Sequence, residues 1–308
     1  MPDLGSSDDD GAARELATGG SPPELVLREL TSHADLHEVE RIQREVWGLD
    51  DLEVVPNSQL RAALHAGGQL GGAFLEDALV GFSYGFLASP HGRLMVGPGL
   101  HSHMAAVRPG ARGRGVGRAL KWQQRAWCLE RGIEWMTWTF DPLQARNANL
   151  NLRHLGAVGV DYLVDFYGPM GGPLGGGRSD RLLALWMLTG QRVTARAEGG
   201  GPLHGPAVGA RSALPVRERL ATWAVRAASS DGDAEPVVEL SEGLLARTVE
   251  TGARVMVAAP PEAGGLAAPE RAGRWQDAFV RTMMPLLAAG YVAVDFAAGA
   301  YVFDPIDG

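Results

Sequence analysis

From Glu24 onward, short branched and apolar runs alternate with segments whose apolar positions recur every three or four residues, the pattern of strands interleaved with helices. ELVLREL (24–30) has strand composition. In SHADLHEVERIQREVWG, Ser32 and Asp35 form a capping-box pattern, and Leu36, Val39, Ile42 and Val46 share a helical face. Pro56 opens a second helix through NSQLRAALHA, which Gly67 and Gly68 stop. From residue 69, QLGGAFLEDALVGFSYGFLA predicts two strands about a turn at Glu76 to Ala78, with Phe82, Tyr84 and Phe86 on one face.

LHSHMAAV (100–107) predicts another strand, followed by a helix from Val116 to Arg131 that Gly132 ends. The apolar arc of that helix holds Val116, Ala119, Leu120, Trp122, Ala126, Trp127 and Leu129 and leaves out Cys128. A strand follows at 133–140, ending at Asp141-Pro142. QARNANLNLRHLGA then predicts a short helix with Ala145, Ala148, Leu152 and Leu155 on one face and Asn147, Asn151 and His154 on the other. Further strands are predicted at 159–166 and 181–188.

This order implies a mixed α/β sheet over residues 23–188, after a small, polar tail at 1–22 that reads as disordered. Residues 189–215 have linker composition. Residues 216–308 recover strand candidates at 236–240, 253–259, 291–298 and 300–303 and a helix across 269–290. They form either a small α/β subdomain or extra strands docked on the first sheet. No short-period repeat is evident.

Composition narrows the function. With 28 basic and 36 acidic residues, net charge −8, the chain is not built mainly to coat nucleic acid or an anionic membrane. A lone cysteine, Cys128, excludes an internal disulfide and a cysteine-rich metal site, and no metal ligands are assigned. Neither a signal-peptide pattern nor an apolar run of about 18 residues is found, so the expected location is the cytoplasm.

Against this acidic background stands RPGARGRGVGRALK (108–121), with four glycines, four arginines and the single lysine of the chain. Bare backbone at a helix start, where peptide dipoles add about half a positive charge, is suited to a phosphate. Arg112, Gly113, Arg114, Gly115, Val116 and Gly117, led in by Val107-Arg108-Pro109, resemble the R/Q-x-x-G-x-G/A signature of the GNAT acyltransferase superfamily, in the matching strand-loop-helix context. Further strings, including DFYG, SDRLLALW and GYVAVDF, look like a GNAT branch with a C-terminal extension.

The resemblance implies a GNAT-type, mostly antiparallel sheet flanked by helices, and acetyl-CoA or another acyl-CoA as co-substrate. The pyrophosphate would rest on backbone amides of 112–117, with Arg112 or Arg114 adding charge. Pantetheine would pair with Met104, Ala105, Ala106 and Val107, an amide of which stabilises the oxyanion. Asn147 and Asn151 are candidate pantetheine contacts. A base must free the attacking amine of its proton, and something must protonate the departing thiolate. His103 is the first base candidate, with His101 behind it, and Asp141 is a second candidate at the acceptor notch. The family's tyrosine acid falls on Leu152 here, which leaves Tyr167 or Tyr162 as substitutes. Trp135 and Trp138 are core or pocket-lining residues.

The expected activity is transfer of a short acyl group to a small-molecule amine, an amino acid being one acceptor to test, by direct attack in a ternary complex. A covalent route through Cys128 or a serine elbow is not supported. The alternatives are a silent acyl-CoA sensor with a protein partner, and protein acetylation. The extension either roofs the acceptor site or builds a homodimer.

Overall fold

The computed structural model describes residues 24–51, 53–90, 95–168, 177–199, 222–227, 234–261 and 269–306; the expected tail and most of the expected linker lie outside them. The first elements are β1 (Val26–Glu29), α1 (His33–Trp47), α2 (Asn57–His65), β2 (Gln69–Leu75), β3 (Ala78–Ala88) and β4 (Gly99–Val107). After a short turn of 3₁₀ helix at Pro109–Ala111 come α3 (Val116–Leu129), β5 (Trp135–Phe140), α4 (Ala145–Ala148), a π-helical turn at Asn149–His154, β6 (Val158–Leu163), β7 (Arg181–Met187) and α5 (Gln191–Ala197). The local signals act as expected. Ser32 and Asp35 form both halves of the capping box, and Glu76 and Asp77, both left-handed, make the tight β2–β3 turn.

Helices α1 and α2 lay Leu36, Val39, Ile42 and Leu60 on Leu70, Phe82, Tyr84 and Ala106, each aliphatic side chain worth roughly 1.5–3 kcal/mol of burial. Helix α3 takes the opposite face, with Val116 and Leu120 on Ala73 and Leu75. Its buried side differs from the expected arc. Val116, Leu120, Lys121, Gln124, Trp127 and Cys128 are inward, so Gln124 marks the centre of the buried arc and Cys128 lies in the core. The apolar pattern misdirects here because the inner stripe carries polar side chains that bond the sheet: Gln124 Nε2 donates to Gln69 Oε1 at 2.8 Å.

The C-terminal part adds β8 (Thr222–Ala227), β9 (Pro236–Val238), α6 (Glu242–Thr251), β10 (Val255–Ala258), α7 (Pro269–Ala288), β11 (Tyr291–Ala297) and β12 (Ala300–Pro305). It is no separate subdomain sheet: among the described residues twelve strands run in the order β1-β2-β3-β4-β5-β7-β6-β11-β12-β10-β8-β9. Neighbours are antiparallel except β4 with β5 and β8 with β10.

That order reads the same from both sides of the β6–β11 junction. β4, α3, β5, α4, β6 and β7 are matched by β8, α6, β10, α7, β11 and β12, strand for strand in direction and neighbour. The match extends to residues. GAVGVDY (156–162) and GYVAVDF (290–296) each start on a left-handed glycine, Gly156 and Gly290. Each strand then bulges, between Gly159 and Asp161 and between Ala293 and Asp295. In each, an aspartate oxygen accepts from the next amide: Asp161 from Tyr162 at 2.8 Å, Asp295 from Phe296 at 2.9 Å.

Helix α5 occupies the start of the segment expected to be linker. Arg192 donates to Leu152 O at 3.0 Å and also to Val294 O, and Arg196 Nε donates to Arg153 O at 2.7 Å. These arginines close the free carbonyls at the end of the π-helical turn and bind it to β11. No helix among the described residues is long and apolar enough to cross a membrane.

Candidate functional site

Strands β4 and β5 pair only at Leu100–Met136 and His101–Thr137. Past these positions β4 continues on β3 as far as Val107 and β5 continues on β7 as far as Phe140. The two strands therefore diverge, and their facing edges from Ser102 and from Trp138 present unpaired peptide groups to a wedge. Met104, Ala105, Ala106 and Val107 form its β4 wall. At its apex β4 is bulged: Tyr84 pairs with Met104 and Gly85 with Ser102, which makes His103 the extra residue.

The β4 wall leads directly into the glycine-arginine loop. Gly113 (φ +76°) and Gly115 (φ +79°) hold left-handed backbone, and a Cβ on either would meet nothing within 4 Å. The glycines are thus required by conformation, and the space over them is open. Buried Ala111 and Val116 anchor the loop from below. Ala119 N–H bonds Gly115 O at 3.0 Å, so the amides of Val116, Gly117 and Arg118 have no intrahelical acceptor and face out of the α3 N-terminus. Arg108 is committed elsewhere: its Nε donates to Glu45 at 2.7 Å and its Nη2 to Glu38, fastening the loop to α1. Arg112, Arg114 and Arg118 are exposed. Arg112 Nε reaches back to Val107 O at 3.3 Å.

One face of the wedge is aromatic and imidazole-rich. His103 packs with Tyr84 and Phe86, at centroid distances of 6.1 and 5.7 Å. Burial lowers its pKa below the ordinary histidine value, which keeps the ring neutral and basic at pH 7. His101 Nδ1 lies 3.0 Å from Thr137 Oγ1, and Tyr167 OH lies 3.1 Å from Thr139 Oγ1, which brings this tyrosine onto β5 beside the wedge. Tyr162 is excluded as an acid: it is buried, donates to Asp180 Oδ2 at 2.7 Å, and its pKa is raised by burial and by that carboxylate.

Asp141 ends β5 and accepts from Leu143 N–H at 2.9 Å, an Asx turn, while burial raises its pKa despite that bond. The structure does not bring Asn147, Asn151 and His154 onto one face. Asn147 and His154 are exposed and Asn151 is buried, because the π-helical turn replaces the 100° step on which that face was drawn. Among the tryptophans, Trp135 is core, donating to Val96 O at 3.0 Å.

Sequence reasoning passed over the other face. Lys121 is buried; its Nζ donates to Ser102 Oγ at 2.7 Å and lies 4.0 Å from the centre of the Trp138 ring. Ser102 donates onward to Gln124 Oε1 at 2.8 Å. Burial holds the Lys121 pKa at about 7. The available signal was a sole lysine inside the loop-helix motif, on a helix rich in arginine.

No curated protein matches the chain by sequence. Residues 34–157 match the family model described as acetyltransferase (GNAT) family. Similar solved structures include the ribosomal-protein-S18-alanine N-acetyltransferase of Escherichia coli, 15% identical with TM-score 0.42, over 54% of this chain and 94% of the other. A GNAT family acetyltransferase of Elizabethkingia anophelis with acetyl-CoA bound is 12% identical with TM-score 0.41, over 53% and 97%. The ribosomal-protein-alanine N-acetyltransferase of Brucella melitensis is 20% identical with TM-score 0.42, over 53% and 99%.

Proposed function

We propose, from the GNAT acetyltransferase domain that residues 34–157 constitute, that the protein is an acyl-CoA-dependent N-acyltransferase moving a short acyl group to a small-molecule amine. One observation carries the reading: an open amide cradle at the α3 N-terminus leads directly onto the unpaired edge of β4. A phosphate-bearing, amide-bearing chain fits that path, its anionic end on residues 113–117 and its extended arm beside Met104 to Val107.

The chain's own groups then divide the work. Amides of the bulged β4 edge stabilise negative charge on the carbonyl oxygen as the amine attacks. Neutral His103 takes the proton that the attacking nitrogen loses. Tyr167, held on Thr139, and Asp141 bound the side from which the acceptor enters, and an amino acid is a suitable first acceptor class. Among the described residues the second unit shows no equivalent cradle: α6 is capped by Ser241, whose own side chain accepts from Leu244 N–H. We therefore assign the donor site to the α3 N-terminus.

Thermal unfolding against coenzyme A, acetyl-CoA, succinyl-CoA, longer acyl-CoAs and ATP tests the reading. A rise with one acyl-CoA nominates the donor, and a ligand at about 100 times its Kd adds about 2.7 kcal/mol. No rise with any coenzyme A species refutes it. A silent acyl-CoA sensor is the second reading, favoured by buried Leu152 where the resemblance expects a tyrosine. Thiol release with any amine removes that reading.

A further inference from the structure

The only lysine of the chain stands at the apex of the wedge. The last paired residues of β4 and β5 are His101 and Thr137, and the next residue on each strand, Ser102 and Trp138, is one of the two groups that Lys121 Nζ touches. Among the described residues no carboxylate forms an ion pair with it. From its own helix the titratable neighbour is Cys128, whose thiol burial pushes up to about 12 and so keeps neutral. The groups facing it from β4 and β5, a hydroxyl and an indole, carry no charge. A methionine of similar length would fill this site without the penalty of burying an ammonium. An unpaired buried cation beside a cleft is where a proton-transfer group is expected.

We propose that Lys121, acting through the Ser102 hydroxyl, supplies the proton taken up by the thiolate that leaves when acyl-CoA is consumed. The proposal rests on the acyl-CoA reading above, and it fills the role for which Leu152 left no tyrosine. In the step, the amine nitrogen bonds to the carbonyl carbon and its proton passes to His103. The tetrahedral intermediate then reforms C=O as the C–S bond breaks, leaving the electron pair on sulfur. The Ser102 hydroxyl turns from Gln124 Oε1 to the sulfur and protonates it, and is itself reprotonated by the Lys121 ammonium, which becomes a neutral amine. Lys121 regains a proton and His103 releases one to water, so the cycle balances. Burial favours the neutral amine and so drives the transfer; the value near 7 sets donor and conjugate base at similar populations at neutral pH. In this assignment Lys121 positions and recharges Ser102, and Ser102 meets the sulfur.

Because Lys121 is the sole lysine, protein grown with ¹³C-lysine gives one lysine side-chain signal. Its titration is expected to centre near 7 in the free protein. With reduced coenzyme A bound, the midpoint is expected to rise, because a neighbouring thiolate favours the ammonium. The same coupling is read from the ligand by thiolate absorbance: bound coenzyme A should ionise at least about one pH unit below the free thiol, and Lys121→Met should bind it without that drop. A lysine midpoint near 10, a midpoint indifferent to bound coenzyme A, or a lowered thiol in Lys121→Met overturns the proposal. If Lys121→Met does not fold, the wild-type titration decides alone. Coenzyme A binding without a lysine response defeats only this proposal, whereas failure of the wild type to bind any coenzyme A species defeats the donor-site reading and this proposal with it.

Discussion

Gly159 faces Ala293 across the junction of β6 and β11, and the two are counterparts in the two matching halves of the sheet. A Cβ on Gly159 would lie 2.8 Å from Leu182 Cδ2 and 3.1 Å from Ala293 Cβ, so the halves meet at the closest approach their backbones allow. Gly159→Val is expected to destabilise both halves together by about 1–3 kcal/mol. Hydrogen exchange should show β7 and β12 losing protection in parallel; loss confined to one half would show that the halves are not energetically coupled.

A chain ending at residue 199 would expose the β6 edge that β11 covers, with Val158 and Tyr162 beside it. Open apolar edges pair with other chains. Such a truncation is expected to self-associate or precipitate, and light scattering against the full chain checks it.

Lys121 gives the protein a pH-dependent stability of definite sign. Its folded pKa of about 7 lies below the ordinary lysine value of the unfolded chain, so between these limits the unfolded state binds more protons and stability rises with pH. Below about pH 7 the whole penalty of burying the charge is present, of the order of 5 kcal/mol at 1.36 kcal/mol per unit. Denaturant curves should show Lys121→Met gaining on the wild type as pH falls from 10 to 7. A constant difference would mean that Lys121 titrates normally.

Gly115→Val separates folding from donor binding. Left-handed backbone at φ +79° makes a side chain there cost about 1–2 kcal/mol, yet its Cβ points into open space. The variant is therefore expected to fold with a modestly lower Tm and to lose the stabilisation given by acyl-CoA. Retained stabilisation would move the phosphate site off this loop.

Asp141→Asn keeps an oxygen to accept from Leu143 N–H but removes a buried charge. Since burial raises the Asp141 pKa in the folded state, its ionised form is a liability above that pKa, and the substitution should leave Tm at pH 7 equal or higher. Thiol release then decides its role: a rate unchanged from wild type assigns the residue to the turn alone.

His103→Gln tests the base. A pKa lowered by burial places the acid limb of the rate below pH 6.5, and the variant is expected to lose that limb along with about 10²-fold or more in rate. An unaltered pH profile would remove His103 from the chemistry.

By itself, the sequence determined what depends on neighbours along the chain. The Ser32–Asp35 cap, the Glu76–Asp77 turn and the left-handed glycines of residues 113–115 follow from local backbone preferences, and with them the strand-loop-helix cradle was legible. That Met104 to Val107 lie on the strand leading into that loop was legible as well. What only the tertiary structure decided involves partners far apart in sequence. Helix α3 turns Gln124 and Lys121 inward because Gln69 and Ser102, on other strands, satisfy them, and no periodicity of apolar residues announces a buried polar stripe. Asn151 leaves the face of Asn147 because a π-helical turn resets the angular step. The covering of β6 by β11 joins segments more than a hundred residues apart, where pairing depends on two edges meeting in space and the local pattern shows only that each is a strand.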